Sequence, residues 1–170
     1  MLKSAATWLF AGVLFASCST PKIDLATWRL EYEQPRPAEV RGELGAELDR
    51  VDVIRARGDL VDARSLALAL EAENPTDPRA LFRASRAESD GALLFPDDKN
   101  ARNQAAASSL DYAERGAAAG ADEPTFLGQF AWALGTTTHL QSMGDRSDHA
   151  HRTIEVAKKA LAQDPDEPRA

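Results

Sequence analysis

Apolar residues recur at helical spacing through most of the chain, with polar and proline-bearing breaks between the runs. Leu44, Leu48, Val51 and Ile54 fall at i, i+4, i+7, i+10, and Ala63, Leu66, Ala67 and Leu70 at i, i+3, i+4, i+7. Each run predicts a helix with one apolar stripe. Gly58-Asp59 separates them, and Asn74-Pro75 stops the second. Asp77 and Pro78 are the acidic cap and first-turn proline of a third helix reaching about Leu93, with Ala80, Ala84 and Ala87 as a close-packing face. The segment GALLFPDDKN then reads as a stretched turn that inserts Leu93, Leu94 and Phe95 before Pro96. A fourth helix is predicted from Asn100 to about Ala119, with Ala106, Leu110, Ala113 and Ala117 on one stripe and Gly116 to Gly120 ending it. Asp122-Glu123-Pro124 opens a fifth, in which Phe126, Phe130 and Leu134 align beside Leu127, Ala131 and Trp132. It is the most apolar of the set after residue 42 and is expected to lie centrally. A polar loop follows from Thr136. The last helix is predicted to begin near Ser147 or Asp148, to carry Ala150, Ile154, Ala157 and Leu161 at i, i+4, i+7, i+11, and to stop at Pro165.

None of these stripes can be buried by its own helix, so the helices must cover one another. The unit from Leu44 to Pro78 resembles a tetratricopeptide repeat, whose period is about 34 residues. Gly58-Asp59-Leu60 matches its turn, Ala63 its helix crossing, Ala67 and Leu70 its packing positions and Pro75 its closing proline. Glu47, Arg50 and Val51 stand where that family has Trp, Leu and Gly, so the copy is degenerate. Its ending, ALALEAENPTDPRA from Ala67 to Ala80, is echoed by AKKALAQDPDEPRA from Ala157 to Ala170. The resemblance implies an all-α fold of tetratricopeptide-like antiparallel helix pairs stacked as a short right-handed solenoid over residues 43–170. The stretched middle repeat, the AWALG helix at Ala131 to Gly135 and the closing AKKALAQDP are similar to two groups. One is the periplasmic lipoproteins that accompany TRAP transporters, and the other is the regulator-of-microtubule-dynamics group with its bacterial relatives. Both imply a binding role, and neither offers catalytic residues to transfer.

The first residues speak to compartment. Lys3, an apolar run from Ala5 to Ala16 and small residues before Cys18 look like a bacterial lipoprotein signal peptide over residues 1–17, although Phe15 stands where that pattern favours Leu. That resemblance implies lipidation of Cys18, the sole cysteine, and leaves no thiol for catalysis or disulfides. Ser19 and Thr20, in place of the retaining Asp, imply the periplasmic face of the outer membrane over the inner membrane. Residues 18–42, with Pro21, Pro35 and Pro37, read as a lipid-anchored extended tether. Within it Trp28, Leu30 and Tyr32 alternate with charged residues, as an arm laid on the repeats or as a contact for a partner.

A formal charge of −7 and the lack of any long basic block argue against a nucleic-acid partner. The chain holds no Gly-rich phosphate loop, no G-x-S-x-G and no H-E-x-x-H, and no cofactor, metal or catalytic site is expected. His149 and His151, two apart, point to different helical faces, with His139 in the loop before them. Asp77, Asp122, Glu123, Asp164, Asp166 and Glu167 cluster with prolines and read as helix caps. Arg79, Arg83 and Arg86 fall at i, i+4, i+7, and Asp49, Asp52 and Arg55 occupy the same side of the preceding first helix. Such guanidiniums can grip a carboxylate through forked hydrogen bonds, or can pair with Asp49 and Asp52 across the helix interface. The expected function is a non-enzymatic, membrane-tethered periplasmic adaptor that holds a protein or peptide along this groove, with self-association through the last helix pair as a further expectation. The alternative is a small-ligand carrier beside a TRAP-type transporter, with Phe95, Phe126, Phe130 and Trp132 lining an apolar pocket.

Overall fold

The computed structural model describes residues 42–95 and 97–167. The expected signal peptide, Cys18 and all of the expected tether but its last residue lie outside the described residues. Six α-helices follow one another: α1 (Leu44–Ala56), α2 (Leu60–Glu73), α3 (Pro78–Leu94), α4 (Lys99–Ala118), α5 (Pro124–Thr137) and α6 (Arg146–Gln163), with a 3-10 turn at Thr138–Leu140. No strand occurs among the described residues. The fold is all-α, and its helices pack as a helical-repeat arrangement. Each helix touches its successor, and α1 also meets α3 while α3 meets α5. The odd-numbered helices therefore form one layer.

The spacing of cross-layer pairs measures the repeat. Partners joining α1 to α3 are 31 and 35 residues apart, as in Asp52–Arg83 and Arg55–Asp90. Those joining α3 to α5, Ser85 and Ser89 with Gln129, are 44 and 40 residues apart. The second unit is longer because GALLFPDDKN lies inside it. Leu94 is still helical, so the segment read as a stretched turn lengthens α3 to 17 residues before the chain turns.

Local signals explain the helix ends. Asp77 accepts from the backbone N–H of Arg79 at 2.8 Å, and Asp98 from those of Asn100 and Ala101 at 2.9 Å, so each satisfies amides at the start of α3 or α4. Glu123 sits at the cap of α5 without a side-chain bond, Asp122 is exposed and Glu167 is buried, so the acidic residues beside prolines do not share one task. At the ends of α1 and α4, Gly58 and Gly120 take φ of +90° and +91°. The N–H groups of Asp59 and Ala121 return to Ile54 and Gly116 carbonyls at 3.3 and 3.0 Å, closing the last turns. Gly120 thus ends α4, whereas Gly116 lies within the helix and serves packing. The sequence echo holds as well, since Asp77 N–H bonds Asn74 O at 3.1 Å and Glu167 N–H bonds Asp164 O at 3.2 Å.

Two cores result. Leu48, Val51, Leu66, Ala67 and Leu70 meet Ala80 and Ala87 at one end. Ala113, Ala121, Phe126, Leu127, Phe130, Ala133, Leu134 and Ala160 form the other, flanked by Phe82, Leu110, Ala117 and Val156. Burial of each large side chain contributes roughly 1.5–3 kcal/mol. The α6 stripe is only partly covered: Ala150 and Ala157 are partly buried, while Ile154 is 49% and Leu161 39% exposed. Contact with the second core comes from Val156 and Ala160, one third of a turn away.

Candidate functional site: a charged layer across the first and third helices

Asp52 and Arg55, one turn apart, place both side chains on the face of α1 that meets α3, and Arg83, Arg86 and Asp90 return the same spacing from α3. Arg83 Nη2 donates to Asp52 Oδ2 at 2.7 Å. Arg55 donates through Nε and Nη2 to the two oxygens of Asp90, the latter at 2.9 Å, in a forked pair. Hydrogen bonding to Asp90 raises the Arg55 pKa above its ordinary value. Arg86 is the remaining cation. Its Nη1 stands 3.7 Å from Asp52 Oδ1, beyond hydrogen-bond reach. Three guanidiniums thus share two carboxylates, at side-chain exposures of 19% to 29% for Arg83 and Arg86. Burial, with Arg55 close by, pulls the Arg86 pKa below its ordinary value. The Nε groups of Arg83 and Arg86 and the Oδ1 of Asp52 are buried without a hydrogen-bond partner among the described residues.

The expected groove residues separate accordingly. Asp52, Arg83 and Arg86 come together, joined by Arg55 and by Asp90, which sequence reasoning did not single out. Arg79 turns back on its own helix cap, with Nη2 2.9 Å from Asp77 Oδ2, and Asp49 is exposed. The expected aromatic pocket divides too. Phe126 stands 6.3 Å from Phe130 and 6.4 Å from Phe82, centroid to centroid, inside the second core. Trp132 is 49% exposed, because two residues along α5 from Phe130 lies a different face. Phe95 is partly buried at the end of α3.

A buried polar network also escaped the sequence reading. Ser85 Oγ donates to Ser109 O and Ser109 Oγ to Ser85 O, both at 2.9 Å, while Gln129 Nε2 reaches Ser85 Oγ at 3.1 Å and Ser89 Oγ at 2.8 Å. Ser85 and Ser109 sit among alanines, and that polar breach of two small-residue faces was the available signal. Around it, Arg64–Glu88 at 2.7 Å joins α2 to α3 and Arg115–Glu71 at 2.6 Å joins α4 to α2.

The histidines are apart. His149 Nε2 lies 2.8 Å from Leu134 O, His139 Nε2 lies 3.1 Å from Asn103 Oδ1 and His151 is exposed. No group of three His, Cys, Asp or Glu side chains suited to a metal occurs among the described residues, and no helix there is long and apolar enough to cross a membrane.

No curated protein matches the chain, and no solved structure does. One family does, from the second turn of α1 to the last residue: over residues 48–170 the chain matches the description regulator of microtubule dynamics protein 1-3. Covering more than half the length and nearly all of the helical array, that match shows that the chain belongs to the regulator of microtubule dynamics protein 1-3 family.

Proposed function

We propose that this chain is a non-enzymatic adaptor, tethered to a membrane through a lipid on Cys18, that holds a segment of another protein along the layer formed by α1, α3 and α5. The observation carrying this reading is the partly buried charged cluster of Asp52, Arg55, Arg83, Arg86 and Asp90, in which cations outnumber anions on an otherwise acidic chain. Stacked helix pairs, which we read as degenerate tetratricopeptide-type repeats, offer such a layer as a continuous surface. Phe126 and Phe130 are spent on packing α5 against its neighbours, which favours binding on a surface over enclosure of a small ligand. The signal peptide and the residues after Cys18 favour the periplasmic face of a bacterial outer membrane.

Photo-crosslinking in cells tests the reading with the full-length, lipid-modified chain. A photoreactive residue at Asp49 or Arg79, both exposed beside the cluster, should trap one protein in common. The same residue at Lys158, on exposed α6, should not trap it. Equal trapping from all three sites, or from none, overturns the adaptor. Cys18→Ser should move the protein from the membrane to the soluble fraction, and continued membrane association removes the tether.

A further inference from the structure

Arg86 differs from the other guanidiniums of the charged layer in how it is neutralised. Arg55 holds Asp90 through two bonds, and Arg83 holds Asp52 through one at 2.7 Å. Asp52 is already engaged when Arg86 approaches it at 3.7 Å, and Asp52 Oδ1, the oxygen nearer Arg86, has no hydrogen-bond partner among the described residues. A half-buried guanidinium loses hydration and needs a counter-charge or hydrogen bonds to offset that loss. Here the nearby carboxylates are Asp52, bonded to Arg83, and Asp90, forked to Arg55, and they offset it only in part. The cost shows in the downward pKa of Arg86, to which Arg55 and Arg83 add by repulsion.

We propose that Arg86, with Arg83 beside it, is a seat for a carboxylate of the bound segment, and that Asp52 is an internal carboxylate that competes for this seat and yields it to the ligand. The ligand group is a C-terminal or side-chain carboxylate. Its two oxygens match the guanidinium fork, and it brings the cluster to three cations against three anions. Arg86 has 29% of its side chain exposed while its Nε is buried, so the ligand takes the seat as Asp52 gives way. The seat rests on the adaptor reading for its biological ligand but not for its chemistry.

The test uses the full chain, labelled with nitrogen-15, and follows the arginine Nε–H signals. Probes are acetylated trialanine with a free C-terminus, the same peptide amidated, and succinate, all at constant ionic strength. The free-acid peptide should shift the Arg86 and Arg83 signals saturably and the amidated peptide should not. Arg86→Gln should weaken binding about tenfold or more, the scale of one charge-assisted pair. Asp52→Asn, which removes the competitor, should strengthen it several-fold. Arg86→Gln removes the surplus cation and leaves Asp52 with Arg83, so the fold should hold, and an unchanged urea midpoint checks that. Arg86→Lys keeps the charge but loses the fork, and should bind between the two.

No saturable shift, equal shifts from acid and amide, or weaker binding by Asp52→Asn each overturns the seat. Succinate binding in place of the peptide keeps the seat and turns its ligand into a small organic acid. Carboxylate binding without any trapped protein leaves the seat standing and removes the adaptor. A protein still trapped by the Arg86→Gln chain leaves the adaptor standing and removes the seat.

Discussion

The ring of Phe126 fills the space beside Gly116: a β-carbon on residue 116 would stand 2.6 Å from Phe126 Cε2 and 2.8 Å from its Cζ. Phe82 and Phe130 hem the ring on other sides, so it has little room to withdraw. Alanine at position 116 gains about 1 kcal/mol of helix propensity and incurs about 1–3 kcal/mol of overpacking. Gly116→Ala should therefore lower the urea midpoint in spite of its better propensity. Phe126→Leu in the same chain should absorb part of that loss, and strictly additive losses would remove the contact as the cause.

Ser85 and Ser109 exchange hydroxyl-to-carbonyl bonds across the α3–α4 interface, in a place with no water access for either residue. Each serine-to-alanine change should cost about 1–2 kcal/mol, the usual price of a buried hydrogen bond. The double variant should cost less than the two together by about 0.5 kcal/mol or more, because each hydroxyl contacts the other. Denaturant unfolding of the four chains measures the difference. Full additivity would mean that the hydroxyls act independently.

Two carboxyls make opposite contributions to acid stability. Burial, outweighing the ion pair with Arg64, raises the pKa of Glu88 above its ordinary value. Native protein then holds this proton more tightly than unfolded chain does, so stability falls as pH rises from about 4.3 through the raised value. Asp77 is the reverse case. Its side-chain bond with Arg79, helped by the amides of Arg79 and Ala80, lowers its pKa. Its stabilisation is complete above about 3.9 and is lost as pH falls through the lowered value. Unfolding midpoints measured from acid to neutral pH should flatten above that range in Glu88→Gln and below it in Asp77→Asn, which keeps a capping side chain. Parallel curves for all three chains would contradict both assignments.

Helices were legible because every one carries either an apolar stripe or an acidic-proline start, and both signals are local. The α1–α2 stripes, Ala80, Ala84 and Ala87, and the restart at Asp77-Pro78 are buried or bonded as expected. Tertiary circumstance defeated the rest. Glycine near a helix end looks like a stop, yet Gly116 is small to admit Phe126 from another helix. Trp132 looks like core on the most apolar helix, but an array leaves every helix one outer face. The Arg83–Asp52 pair follows from the repeat register and was foreseeable as one of two alternatives. Asp90, at the far end of α3, gave no such sign, because its value lies in Arg55 one unit back.

The outer face of α6 supplies the last prediction. Among the described residues α6 packs chiefly on α5, and only one of its two apolar stripes is covered. Val156 and Ala160 lie against the second core, while Ile154 and Leu161 remain 49% and 39% exposed. Leu134, wholly buried where α5 meets α6, should lose about 2–5 kcal/mol when cut to alanine, through lost burial and an unfilled cavity. Ile154→Ser and Leu161→Ser should each change stability by about 0.5 kcal/mol or less, as surface substitutions do. Should either serine cost as much as Leu134→Ala in dilute monomeric protein, the face is covered by some part of the chain itself. A cost that grows with protein concentration would instead identify the cover as a second copy, since only association makes stability depend on concentration.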